Sequence, residues 1–195
     1  MDILLKKIVV FASGGGTNAE NIVRYFEMNG EAEVVLIVCN NPEAGVVERA
    51  RRLDVPLLMV NRKDVFENGK LLSVLEQMNP DLIVLAGWLW LIPEIIIHAF
   101  PKKIINIHPG LLPEFGGKGM FGMHVHNAVI ASGKQESGIT IHYVDEHYDH
   151  GAKIFSAVCE VAKEDSAESL AQKIHLLEQE HFPRVIRQLL REQNL

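Results

Sequence analysis

Cysteine is scarce in this chain of 195 residues: only Cys39 and Cys159 occur, each inside an apolar, strand-like run. Thiols so placed read as small buried side chains, which excludes a disulfide framework and suits a reducing cytosol. No apolar run reaches the ~20 residues that a membrane span requires. Nor does the sequence open on a basic segment with a small-residue cleavage site behind it, so a soluble cytoplasmic protein is expected. Positive charge is not in excess either. A formal net charge of -6 argues against a broad nucleic-acid surface, although a local pocket can still take a phosphate. The expected partners are therefore small molecules, with neither nucleic acid nor membrane, and the chain itself is expected as a monomer or homodimer. Internal repeats and low-complexity linkers are also missing. The length fits one domain able to bury roughly 70% of its unfolded surface without staples.

What is present alternates. Lys7–Ala12 is a β-branched run, Ser13–Gly16 breaks it, and Asn18–Met28 carries Ala19, Ile22, Val23 and Phe26 at helical spacing. The same strand-then-helix pattern recurs as Val34–Cys39 with Glu43–Leu53, Pro56–Val60 with Val65–Met78, and Leu82–Ala86 with Pro93–Phe100. Such alternation predicts right-handed βαβ units. The fold class expected is α/β, a single Rossmann-like domain with a mostly parallel sheet and helices on both faces. Continuous apolar strands such as Leu82–Ala86 fit a sheet covered on both sides. After Ile104–Ile107 comes a glycine-rich loop, Pro109–Met123, then a short helix near His124–Ser132, two strand-like runs at Gly138–Val144 and Lys153–Val161, and a closing helix over Ala167–Arg191.

Several stretches carry chemistry. Asn106 and His108 stand two residues apart where an apolar strand meets a proline-broken loop, so alternation points them to one side. An amide donor beside a titratable ring can hold a carbonyl oxygen as it becomes an oxyanion and manage the protons of acyl transfer. A carboxylate from Asp149, in a loop ending at Gly151, would stabilise the imidazolium form of His108; the alternative is an Asx-turn aspartate. Ser13–Asn18 joins the first strand to the first helix, where free backbone N–H groups and the positive helix end favour an anion; the alternative is a tight turn with Thr17 or Asn18 as N-cap. Gly14, Gly16 and Ala19 loosely match a dinucleotide-binding loop, but the next strand ends Val38-Cys-Asn-Asn41, without the acidic residue that would hold a ribose. The Walker pattern fails because no Gly-Lys-Ser/Thr follows the glycines. Trp88–Ile92 is too apolar for an ordinary loop and lies at a strand's carboxyl end, where it either fills core or walls a pocket for a flat heteroaromatic ligand. His124 with His126, and His147 with His150 beside Asp145 and Asp149, are candidate metal ligands. The two sets are a whole strand unit apart and neither has a third clear ligand, so no metal is expected.

Taken with Leu85-Ala-Gly-Trp88, Asn106-Ile-His-Pro109, Leu111-Leu-Pro113, His124-Val-His126, Gly138–His142 and Asp145–Gly151, these motifs make the chain resemble the folate-dependent glycinamide ribonucleotide formyltransferases of purine synthesis over nearly its whole length. The resemblance implies a catalytic set of Asn106, His108 and Asp149. It implies that Gly15, Gly16, Thr17 and Asn18 bind the nucleotide phosphate and that Glu178 holds the ribose. For the co-substrate, 10-formyltetrahydrofolate, it implies Arg62 at the glutamate tail and Leu89, Trp90, Leu91, Ile92, Asn106, Thr140, His142 and Val144 around the pterin. One formyltransferase domain over 1–195 is implied, with 1–100 as the phosphate- and nucleotide-binding half and 101–195 as the catalytic and folate-binding half. Three departures stand out: Asp149-His-Gly151 where the family often has Asp-Gly-Gly, Trp90 where an arginine is common, and a longer Phe115–Met123 segment. Rival readings are a methionyl-tRNA formyltransferase, a formyltetrahydrofolate hydrolase, a catalytically silent nucleotide-binding module and, more distantly, a nicotinamide oxidoreductase. The acidic balance and short length count against the tRNA enzyme, and the phosphate loop against the hydrolase.

Overall fold

Seven strands and seven helices follow one another along residues 5–192, the part of the chain that the computed structural model describes. Residues 1–4 and 193–195 of the expected domain lie outside it. In chain order these are β1 (Lys6–Phe11), α1 (Thr17–Asn29), β2 (Ala32–Cys39), α2 (Gly45–Arg52), β3 (Leu57–Met59), α3 (Arg62–Phe66), α4 (Lys70–Met78), β4 (Leu82–Leu85), α5 (Glu94–Ala99), β5 (Ile104–His108), α6 (Met123–Ser132), β6 (Glu136–Tyr143), β7 (Lys153–Glu160) and α7 (Ala167–Glu192). The sheet order is β3-β2-β1-β4-β5-β6-β7, with β3 to β5 parallel and β6 and β7 added antiparallel at one edge. This is the doubly wound plan expected of alternating βα units.

Strand alternation sorts the core into two layers. Ile8 and Val10 of β1, with Leu82 and Val84 of β4, pack on one face against α1, α6 and α7. Val9, Phe11, Ile83 and Leu85 pack on the other against α3, α4 and α5. Between β1 and β4 the connections reverse direction, so their carboxyl ends open a crevice, the usual ligand position in such sheets. Cys39 is buried and Cys159 half-buried, and neither is bridged.

The helix expected over Val65–Met78 is two helices. Asn61 and Asp64 form a reciprocal capping box that starts α3, and Gly69, at φ 69°, restarts the chain as α4 after Asn68 accepts the Lys70 N–H. The closing helix runs unbroken through Pro183, which cannot donate to the carbonyl of Gln179 four residues earlier. Asn21 of α1 supplies the missing donor, its Nδ2 lying 2.9 Å from that oxygen. The proline thus becomes a docking point between α1 and α7.

Candidate active site

A cavity of about 620 Å³ opens at the carboxyl ends of β1, β4 and β5. One wall is the loop from Gly14 to Asn18. Its Gly14 and Gly15 carbonyls are turned to α2, where they accept from the Val46 N–H at 3.1 Å and from Arg49 Nε at 2.7 Å. Gly16 is the N-cap of α1 at φ 78°, and no side chain caps the helix. The first-turn N–H groups are therefore left for an external anion, favoured there by the helix dipole. The alternative reading, in which Thr17 or Asn18 caps the helix, does not hold. Asn18 is buried and faces α7 instead: its Nδ2 donates to Glu178 at 3.0 Å and its Oδ1 accepts from Gln179 at 3.2 Å. Its side chain positions Glu178, which lines the same cavity.

At the far end of the cavity lies the Asn106 cluster. Asn106 and His142 are direct cross-strand partners on β5 and β6, which brings Asn106 Nδ2 within 3.1 Å of His142 Nε2. The second hydrogen of that amide reaches Asp149 Oδ1 at 3.3 Å. His142 donates its Nδ1–H to the Tyr143 carbonyl at 2.7 Å, which leaves Nε2 as the acceptor for Asn106. His108 is 2% exposed; its Nε2–H donates to the Phe115 carbonyl at 2.8 Å, and its Nδ1 lies 3.4 Å from Asp149 Oδ2. Both ring nitrogens face acceptors. Asp149 is held in the left-handed region at φ 57°, in a loop that closes because Gly151 brings its Cα against the Tyr143 carbonyl, where a Cβ would sit 1.9 Å from the oxygen. Burial by itself would raise the Asp149 pKa, but the hydrogen bonds from His108 and the Gly117 N–H, with the field of His108, outweigh it and hold the carboxyl well below the usual range. Asp149 is thus an anion at neutral pH.

A second, narrower cleft runs from the same cluster between Trp90–Ile92 and Val144. The two cavities share Trp88, Asn106, Tyr148 and Asp149 as wall. Trp90, Leu91, Ile92, His142 and Val144 line the cleft. Leu89 faces the larger cavity instead, and its N–H is already held by Ser13 Oγ at 3.1 Å. Thr140 lines neither cavity. It is 1% exposed, and its hydroxyl donates to the Gly110 carbonyl at 2.8 Å and accepts from the Leu112 N–H at 3.0 Å, so its work is to pin the glycine-rich loop. Arg62 stands outside both cavities, exposed, with its guanidinium carbon 5.1 Å from the Trp90 ring centre.

Several wall residues went unassigned in the sequence reading. His126 was weighed there as a metal ligand or a plain hydrogen-bond donor beside an anionic substrate. It is buried in the larger cavity's wall, and burial, outweighing the field of Glu178, lowers its pKa and keeps it neutral. His175 lies 3.6 Å from Glu178, whose hydrogen bond raises its pKa. The signal for His175 was its spacing three residues before Glu178 on one helix face. The Phe115–Met123 segment covers the cluster, with the Phe115 carbonyl on His108 and the Gly117 N–H on Asp149 at 3.0 Å. Among the described residues no group of three or more His, Cys, Asp or Glu side chains is placed to hold a metal ion, and no helix is long and apolar enough to cross a membrane.

Residues 6–186 match the formyl transferase family. The chain is 42% identical over 184 residues to the chloroplastic phosphoribosylglycinamide formyltransferase of Arabidopsis thaliana, covering 90% of this chain and 62% of that relative's length. It is 41% identical over 192 residues to the phosphoribosylglycinamide formyltransferase of Bacillus subtilis, covering 95% of each. Among solved structures, glycinamide ribonucleotide transformylase 1 of Geobacillus kaustophilus superposes with a TM-score of 0.86 at 38% identity, over 96% of this chain and all of that one.

Proposed function

The chain belongs to the formyl transferase family, and from that premise we propose that it moves the formyl group of 10-formyltetrahydrofolate to the amine of glycinamide ribonucleotide, yielding formylglycinamide ribonucleotide and tetrahydrofolate for purine synthesis. The observation that carries this reading is the meeting of two cavities at Asn106 and Asp149. One has an uncapped helix start for a phosphate, the other an apolar, aromatic-edged slot for a heterocycle. Such a layout suits direct transfer between two bound molecules and needs no covalent enzyme intermediate.

In this reading the N–H groups of Gly15 to Asn18 take the phosphate, and Glu178, oriented by Asn18, takes ribose hydroxyls. The amine then stands at the junction. Its nitrogen attacks the formyl carbon, forming one C–N bond; the carbonyl oxygen becomes an oxyanion, and collapse breaks the bond to N10. The proton lost by the amine passes to N10 through solvent. Of the two Asn106 bonds the one to Asp149, at 3.3 Å, is the longer, and an oxyanion, the stronger acceptor, captures that hydrogen. His108 reaches the same oxygen once its Nε2–H exchanges the Phe115 carbonyl for it, and Asp149, beside Nδ1, keeps the ring oriented. Holding both reactants at one junction can lower the barrier by ~7–11 kcal/mol in favourable cases.

The two halves of the chain share this work across their boundary, since Arg62 and Trp90–Ile92 come from 1–100 while Glu178 comes from 101–195. We further place the enzyme in solution in the cytoplasm, acting on small molecules. Incubation of purified protein with glycinamide ribonucleotide and 10-formyltetrahydrofolate, without ATP or added metal, should give the formylated nucleotide and tetrahydrofolate in equal amounts. Release of formate instead would mark a hydrolase, and nucleotide binding without turnover a silent module.

A further inference from the structure

Arg62 begins α3 on the rim beside the second cleft and, among the described residues, has neither an ion-pair nor a hydrogen-bond partner. Its guanidinium carbon lies 5.1 Å from the centre of the Trp90 ring and 6.0 Å from that of Phe66, and the two rings are tilted by 44° at 6.1 Å. Trp90 in turn packs edge-on against Trp88, 5.6 Å away and buried, so the platform is anchored in the wall shared by both cavities. An exposed arginine otherwise samples many rotamers, and fixing them on binding opposes affinity. A ring face under the guanidinium restricts that sampling while leaving its N–H edge open to solvent. The open edge is a planar fork matched to a carboxylate.

We propose that Trp90 is a positioning residue for Arg62: its indole face presets the guanidinium at the cleft rim to receive a carboxylate at the far end of the bound co-substrate. The inference rests on the folate reading of the cleft and adds to it the agent of charge selectivity. Position 90, where the resemblance leads one to expect a second cation, carries a ring that holds the cation already present. Discrimination between charged and uncharged tails then depends on an aromatic side chain that itself carries no charge.

The test is calorimetric titration with 10-formyl-5,8-dideazafolate, a stable co-substrate analogue, and with its tail diamide, which matches it in shape but lacks both carboxylates. Parent protein should bind the diacid roughly tenfold or more tighter than the diamide, as for a charge-assisted bidentate pair. In Trp90→Leu that ratio should fall by roughly two- to fivefold, the range for a cation over an exposed ring, while Trp90→Phe preserves most of it. Arg62→Ala should bring the ratio near one, and adding Trp90→Leu to it should change the ratio no further. Equal weakening of both ligands by Trp90→Leu, or a ratio unchanged in it, overturns the inference and leaves the folate reading intact. A parent that binds both ligands equally well overturns the role of Arg62 as well. A parent that binds neither overturns the folate reading itself.

Discussion

Each residue of the junction has its partners already in place, and this makes the consequences of substitution specific. Asn106→Ala, His108→Ala and Asp149→Ala should each lower kcat by at least ~10²-fold with both substrates still bound, as for loss of oxyanion or acid-base stabilisation. Because Asp149 acts largely through His108, at 3.4 Å, the double variant should be little slower than the slower single one; multiplicative losses in stopped assays would separate their roles. The glycines of the phosphate loop are not equivalent. A Cβ at Gly16 would meet Val46 at 2.6 Å on a backbone of φ 78°, whereas one at Gly15 meets nothing within 4 Å. Gly15→Val should therefore fold normally and raise the nucleotide KM by ~10-fold or more with little change in folate affinity, while Gly16→Val should lower the melting temperature. Unchanged nucleotide KM in Gly15→Val would remove the phosphate from this loop. Asp149 also sets a pH signature. Its folded pKa lies below the ~3.9 of an unfolded aspartate, so its stabilisation is complete above about pH 4 and is lost as pH falls through the folded value. The difference in urea unfolding free energy between parent and Asp149→Asn should accordingly be larger at pH 5 than at pH 3; an equal difference at both would contradict the assigned shift.

At the scale of elements, α1 carries the phosphate site at one end and is fixed to α7 along its length. Asn18 holds Glu178 and Gln179, and Asn21 satisfies the carbonyl that Pro183 leaves without a donor. Removing the Asn21 amide leaves a part-buried carbonyl unpaired, at a cost of ~1–3 kcal/mol. Asn21→Leu should show that loss in chemical denaturation. Restoring an alanine at position 183 in the same background should recover much of it, since the backbone donor then returns. If the double variant is no more stable than Asn21→Leu, the proline is not the reason for the bond. The β6–β7 pair acts similarly for the catalytic side: its tight closure at Gly151 is what carries Asp149 back over β5.

For the whole molecule, one sheet separates two apolar layers, and both cavities open where those layers meet the carboxyl ends of the strands. Every central strand contributes to both layers, so neither can be lost alone. Ile22→Ala in one layer and Leu75→Ala in the other, both fully buried, should each destabilise by ~2–5 kcal/mol within a single unfolding transition of unchanged m-value. Two separable transitions by fluorescence and circular dichroism would mean that the layers are independent units.

Local pattern alone settled the α/β alternation, the loop before α1, and the placement of Asn106 and His108 on one side of β5, because periods of two and of 3.6 residues and glycine punctuation are encoded by neighbours. The loop ending at Gly151 offered Asp149 as a carboxylate for His108, and the family resemblance supplied Glu178 and Arg62, residues far apart in the chain. What only the folded chain decided was their commitments. Asn18 looks like a cap but spends its amide on Glu178 across 160 positions. Thr140 looks like a ligand contact but is sealed under Gly110 and Leu112. Arg62 rests on Trp90, an encounter between two βα units that no local period can report. Polar side chains accept whichever partner the topology delivers, and that delivery depends on strand order and helix packing, which no short stretch of sequence contains.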